Sequence, residues 1–314
     1  MNTSISTLSY YQDAIASNQQ LSTQLANLQT EASTGQQYPQ VSDNPTASLA
    51  ILANSDQEQI IGAHLSDIQS ATANLNASVS ALQSADTIFS QAQSLASEAG
   101  NSTNNNESLT AMGQQVNAMI SSLLSLANTQ SGDTYVFGGA GQTQQPFTVT
   151  SQDSQGNPET VSYQGAANGS STVVGTNQQV EMNYPGTQVF GGPGSSAVNA
   201  FQTLINLRNT LLNAGSQTQG ALSQALTGSA TALQNVQTQV QNVIGQQSAS
   251  LQSMSTLQTQ LQSLQTSDQE NAANLGNADI TNVVVQLQQY EQQLQLSFEA
   301  FSQISSTSLL SFLH

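Results

Sequence analysis

The chain has 314 residues, of which 37% are hydrophobic and only 5% aromatic, with neither tryptophan nor cysteine. Eighteen acids stand against one cation, Arg208, for a formal charge of −17. Neutralising phosphate takes Lys or Arg, so neither nucleic acid nor an anionic membrane surface is expected as a partner. Without cysteine there is no disulfide framework, thiolate zinc site or cysteine nucleophile. Ion pairs are nearly unavailable, so the fold and any assembly must rest on apolar contact and on amide and hydroxyl hydrogen bonds. The modest apolar content suits thin helical packing better than one large globular core.

The first predicted element is a long helix over residues 3–32. Its apolar positions, Ile5, Leu8, Tyr11, Ile15, Leu21, Leu25 and Leu28, recur mostly at helical steps. Gly35 reads as its stop signal, and Pro39 opposes continuation. Ser42, Asp43 or Asn44 caps the next helix, and Pro45 just inside favours the last two. From Pro45 to about Glu98 the stripe continues through Leu49, Leu52, Ile60, Leu65, Ile68, Leu75, Leu82, Phe89 and Leu95. That length points to a coiled-coil-like rod. A turn, GNSTNNN, precedes a further helix over about 107–130.

After Ser131 the period changes. TYVFGG, QPFTVT, ETVSYQG, STVVG, QVEMN and TQVFGG are short β-branched or aromatic runs bounded by Gly, Pro, Asn or Ser. They predict a small β domain over 132–192 with about five or six strands. Helical spacing returns over 197–213, breaks at NAGSQTQG and resumes over 218–276. Gly276-Asn277 is expected to break or bend that helix, with Asp279 or Asn277 as the cap of a terminal one. Its stripe runs through Ile280, Val283, Val284, Leu287, Tyr290, Leu294, Phe298, Phe301, Ile304, Leu309, Leu310, Phe312 and Leu313.

The expected fold is therefore mainly α with a β insert: an elongated antiparallel helical rod or coiled coil built from both termini, with a small β domain in the middle. The expected divisions are an assembly helix and connecting loop (1–44), long helices (45–131), a β-rich outer domain (132–195), returning helices (196–276) and a second assembly helix (277–314). The stretch MNTSISTLSYYQDAIASNQQ has no basic segment, apolar core or cleavage site, so it does not read as a Sec-type signal peptide. No apolar run is long enough for a membrane span.

Little in the chain suggests chemistry. His64 has no second histidine nearby, and His314 stands far from it, so no metal site is expected. Gly138-Gly139 and Gly191-Gly192 lack the following residues of a phosphate loop or dinucleotide fingerprint. The acids are spaced as solvated helix faces. No catalytic residue, cofactor or metal is expected, and the chain does not read as an enzyme.

Four local motifs, in order, resemble the bacterial flagellin superfamily, and within it the hook-associated protein 3 group. Glu31-Ala32-Ser33-Thr34-Gly35 resembles the family's helix end. Ser42-Asp43-Asn44-Pro45-Thr46-Ala47 resembles the start of its long helix. Gly132-Asp133-Thr134-Tyr135-Val136-Phe137-Gly138-Gly139, followed by Pro146-Phe147, resembles the entry to its β domain. Ser308-Leu309-Leu310-Ser311-Phe312-Leu313 resembles its terminus. The chain departs from the family at Gln36-Gln37, where Lys and Arg are usual, and at Asn44, where Asp is. Asn also caps helices, so that departure keeps the chemistry.

The resemblance implies a secreted, extracellular structural subunit at the junction of hook and filament. It implies type III export guided by a cytosolic chaperone, and a ring of copies of the chain between hook-associated protein 1 and flagellin. The apolar termini would then be assembly seams, formed by Ile5, Leu8, Leu21, Leu25, Leu28, Ile280, Val284, Leu287, Leu294, Phe298, Phe301, Ile304, Leu309, Leu310 and Leu313. Thr34, Gly35, Ser42, Asp43, Asn44, Pro45, Tyr135, Phe137 and Gly139 would be structural motif positions. A flagellin filament subunit, or a secreted adhesin on a helical stalk, are the alternatives.

Overall fold

A computed structural model describes residues 2–101, 104–140, 143–174, 178–181, 183–192 and 195–312. Its elements are α1 (Asn2–Thr34), α2 (Pro45–Ala99), α3 (Asn106–Ala127), β1 (Gln130–Ser131), β2 (Thr134–Tyr135), β3 (Phe147–Gln152), β4 (Pro158–Tyr163), β5 (Ser171–Val174), β6 (Gln178–Glu181), α4 (Gly186–Phe190), α5 (Ala200–Leu212), α6 (Gln219–Gly276) and α7 (Ile280–Phe312). The protein is mainly helical, with paired long helices from both ends of the chain and small β-hairpins between them. It divides into two compact units, one of residues 1–60 with 263–314 and one of residues 61–262.

The central unit, 61–262, holds most of the buried apolar side chains. Its parts of α2 and α6 run antiparallel, as Gln237 Nε2 donating to Ser90 Oγ at 2.8 Å and Thr72 Oγ1 to Met254 Sδ at 3.7 Å show. Ile68, Leu75, Leu82 and Phe89 of α2 are fully buried, as are Leu233, Val236 and Val240 of α6. α3 and α5 pack so closely that a Cβ on Gly113 would sit 2.8 Å from Leu212 Cδ2. Asn105 Oδ1 accepts from Ser108 N at 2.8 Å and Asn199 Oδ1 from Gln202 N at 2.9 Å, which caps these two helices.

The strands form three separate two-stranded antiparallel ribbons, β1–β2, β3–β4 and β5–β6, rather than one sheet. Lone hairpins this short are marginal in water, and here β3–β4 shares the helical core. Phe147 packs against Tyr163, Phe190 and Phe201 at ring distances of 5.1, 5.5 and 5.4 Å, and Phe137 meets Phe190 edge-on at 5.2 Å. Each such pair adds about 0.5–1.5 kcal/mol beyond area burial. Asn128, at the end of α3, mimics a strand: its side chain both donates to Phe147 O and accepts from Phe147 N, at 2.9 Å each.

The segment TQVFGG is helical rather than a strand. Val189 and Phe190 are both buried. A strand would send these neighbours to opposite faces, whereas the short helix α4 turns both inward, and Gly191 at φ 74° leaves it. TYVFGG likewise contributes only Thr134 and Tyr135 to a strand, because Val136 and Phe137 are both buried.

The chain's one cation lies inside this unit. Arg208 is 1% exposed. Its Nη1 donates to Pro158 O at 2.7 Å and Asn117 Oδ1 at 3.1 Å, and its Nε and Nη2 reach Asn209 Oδ1 at 3.1 and 2.9 Å. Asn117 Nδ2 then donates to Asn157 Oδ1 at 2.8 Å, and Asn157 Nδ2 to Asp153 Oδ2 at 2.9 Å. The side-chain and backbone N–H groups of Asn157 hold the Asp153 carboxyl below the usual range, with Arg208 adding a smaller attraction. The relay fastens the β3–β4 turn onto α3 and α5.

Arg208→Ala would leave the Pro158 carbonyl without its buried donor, and should lower unfolding stability by about 2–4 kcal/mol in urea titration. Alkaline pH supplies a second test. Burial pushes the Tyr184 hydroxyl up to about 12 and raises that of Tyr163. The neutral phenols are thus favoured in the fold, and their contribution is complete below the unfolded value of about 10 and lost as pH rises through the folded one. The urea midpoint should fall steadily between about pH 10 and about pH 12.

Candidate assembly surface

The terminal unit is built differently. α1 and α7 pair antiparallel: Tyr11 and Phe301 meet edge-on at 5.4 Å, and Ser297 Oγ donates to Asn18 Oδ1. Two chain turns then lock together. Gly35, at φ 71°, ends α1 and its N–H bonds Glu31 O at 2.9 Å, closing a left-handed helix cap. Gln37 N donates to Gly276 O at 2.8 Å, and Ala278 N to Gly35 O at 2.9 Å. Thr34 Oγ1 bonds back to Thr30 O at 2.8 Å.

Of the three cap candidates, Asn44 serves: its Oδ1 accepts from Ala47 N at 3.1 Å. Asp43 Oδ2 instead accepts from Gln40 N at 2.9 Å, stabilising the preceding turn, and the Ser42 hydroxyl lies 3.5 Å from Gln40 Oε1. Pro45 opens α2. At the other end Asp279 Oδ1 accepts from Asn282 N at 3.2 Å and caps α7. The remaining motif residues belong to the central unit. Phe137 is fully buried, and its carbonyl accepts from Gly186 N and the Tyr163 hydroxyl at 2.9 and 3.0 Å. Tyr135 is half-buried in β2. Gly139, at φ 76°, lies where a Cβ would come 2.5 Å from Ala166 O.

The terminal unit buries little. Among the described residues its buried apolar side chains are Leu28, Ala47 and Val283, and most of the exposed large apolar ones lie here. Of the predicted seam, Ile280 and Val284 are each 43% exposed and Phe298 56%. Leu21, Leu25, Leu287, Leu294 and Phe301 are half-buried, and Leu28 is buried. The side chains of Ile5, Leu8, Ile304, Leu309 and Leu310, and Leu313 altogether, lie outside the described residues.

Sequence reasoning placed Leu49, Leu52 and Ile60 in the seam of the long rod, yet they are 65%, 59% and 50% exposed. Leu49 and Leu52 line an apolar groove of about 610 Å³ with Val41, Tyr38 and Ile51, closed on one side by Ala272, Ala273 and Gly276 of α6. A Cβ on Gly276 would sit 2.9 Å from Ile51 Cδ1, so this glycine lets the two helices approach. Helical spacing finds such leucines but cannot say whether the facing side is this chain or another. Val285 and Leu296, absent from the predicted seam, are also exposed.

The described residues contain no group of three or more histidine or acidic side chains placed to hold a metal ion, and no helix long and apolar enough to cross a membrane. The surface offers apolar contact and amide hydrogen bonding. Leu49→Ser combined with Leu52→Ser should shift unfolding stability by no more than about 0.5 kcal/mol. The same double variant should markedly reduce binding of a hydrophobic dye; an unchanged dye signal would show that the groove is not an open apolar surface.

No protein-family model matches the sequence, and no curated protein matches it significantly. Solved structures do match its fold. A flagellar hook-associated protein from Vibrio parahaemolyticus superposes with a TM-score of 0.64 at 13% identity, covering 75% of this chain and 100% of its own. Hook-associated protein 3 from Legionella pneumophila gives 0.61 at 14% identity, covering 72% and 98%. FlgL from Xanthomonas campestris gives 0.57 at 16%, covering 69% and 97%. With two paired chain ends, a helical central unit and inserted hairpins, the chain has the fold of the flagellar hook-associated protein 3 structures.

Proposed function

We propose that this chain is a structural subunit of the bacterial flagellum, acting as the adaptor between hook-associated protein 1 and the flagellin filament. The observation that carries this reading is the division of apolar surface. The central unit satisfies its apolar residues internally, whereas the terminal unit leaves Leu49, Leu52, Ile280, Val284, Leu296 and Phe298 in solvent. Large apolar side chains left exposed in such number in one unit point to an interaction surface. Residues 1–44 and 277–314 would be the assembly segments, with 45–131 and 196–276 as the helical body and 132–195 as the outer part. Copies of the chain would meet through the terminal stripes, including the seam positions from Ile5 to Leu28 and from Ile280 to Leu313.

The subunit would be secreted through the flagellar type III channel with a cytosolic chaperone, and would reside outside the cell at the hook–filament junction. Among the matching structures, one from Legionella pneumophila is named a flagellar junction protein. A filament flagellin is the second reading. The Tyr135–Gly139 entry to the hairpins, the modest size of the insert and the Leu309–Leu313 ending favour the junction role.

Deleting the gene separates the two. A junction protein's loss should leave hooks without filaments and flagellin in the medium, seen by electron microscopy and immunoblotting. Hooks that still carry filaments after deletion would overturn the junction role.

A further inference from the structure

From Met182 to Ser267 the sequence carries one charged residue, Arg208, and that side chain is buried. The part of α6 in the central unit, residues 219–262, therefore presents no ionisable side chain at all. In a chain of net charge −17 this is a large neutral surface. It is also shaped. A groove of about 850 Å³ runs along it, lined by Asn235, Asn242 and Gln246 of α6 and by Tyr163, Thr187 and Gln188 opposite. The opposing wall is fixed in place: Gln239 Nε2 donates to Val189 O at 2.6 Å, and its Oε1 accepts from Val198 N at 2.8 Å. Asn235, Asn242 and Gln246 are exposed.

Copies of an acidic chain repel wherever carboxylates meet, and no exposed cation is at hand among the described residues to relieve it. A neutral face escapes that repulsion, and its amide N–H groups can donate to carboxylates. Within the chain such a pair already exists, with Gln241 Nε2 donating to Asp86 Oδ1 at 3.4 Å. A ring repeats a head-to-tail contact between two different faces. Exposed Asp133 lies in the β1–β2 turn, and exposed Glu159 lies on β4, which packs on α5. Given the flagellar assembly proposed above, on which this rests, we infer that the neutral face of α6 between Asn235 and Gln246 is a contact surface for a second copy of the chain, whose carboxylate-bearing side it receives. Amide donors there take the place of the lysines and arginines that the chain lacks.

The test complements the deletion strain with full-length Asn242→Glu, Asn235→Glu or Asn242→Lys, and measures the chain in isolated hook–basal-body particles against that in the medium. Both Glu variants put like charge into the contact and should lower the particle-bound fraction about tenfold or more. Asn242→Lys, of similar bulk, should be incorporated at least as well as the wild type. Equal incorporation of Glu and Lys variants, or equal loss of both, overturns the contact. Thermal midpoints matching the wild type confirm that the purified variants fold, and Asn235→Glu gives an independent reading if Asn242→Glu does not. Wild-type chain missing from the particles would instead overturn the assembly reading itself.

Discussion

The shortage of cations governs how this protein is built. With eighteen carboxylates and one guanidinium, neither helix pairs nor hairpins can be joined by ion pairs in any number. Apolar seams and neutral hydrogen bonds carry the structure instead. The one Arg is spent in the interior, where its planar donors reach the Pro158 carbonyl and the amides of Asn117 and Asn209. A guanidinium suits such a site because it is weakly hydrated and presents its donors in a fixed fork. Amide and hydroxyl side chains take over elsewhere: Asn128 pairs with a strand, Gln239 ties a loop to α6, and Asn44, Asn105 and Asn199 cap helices.

The same constraint separates the two units in character. The central one closes its core with Phe137, Phe147, Phe190 and Phe201 and with Leu, Ile and Val positions of the five helices α2 to α6. The terminal one has helices with apolar residues on more than one side and few buried among the described residues. Such a surface gains free energy when other apolar surface covers it, and because this unit carries ten of the eighteen acids and no lysine or arginine, association there rests on apolar contact rather than on ion pairs.

Much of the architecture was legible in the sequence because the signals were local. Gly35, Pro45 and the Asn and Asp residues beside them mark helix ends through backbone geometry and side-chain acceptors, which act within a few residues. Hairpin strands such as Phe147–Gln152 and Pro158–Tyr163 announced themselves by β-branched and aromatic residues bounded by Gly, Pro, Asn and Ser. The misread segments are those in which distant residues decide. TQVFGG has strand-like composition, yet Val189 and Phe190 both face the aromatic cluster, and only a helical turn permits that. The six described strands form three separate ribbons, each strand pairing only with its neighbour in sequence.

The candidate surface was half legible for a related reason. Periodicity located the terminal stripes, and Leu49 and Leu52 with them, since spacing at three and four residues is a property of the chain alone. Whether such a stripe is buried depends on what lies across from it, and that is a tertiary matter. By itself the sequence determined the helices, their caps, the turn residues and the scarcity of cations. The tertiary structure alone decided that Arg208 would be interior, that the β3–β4 hairpin would share the helical core, and that Leu49, Leu52 and Phe298 would face solvent, because burial is set by contacts between residues far apart in the chain.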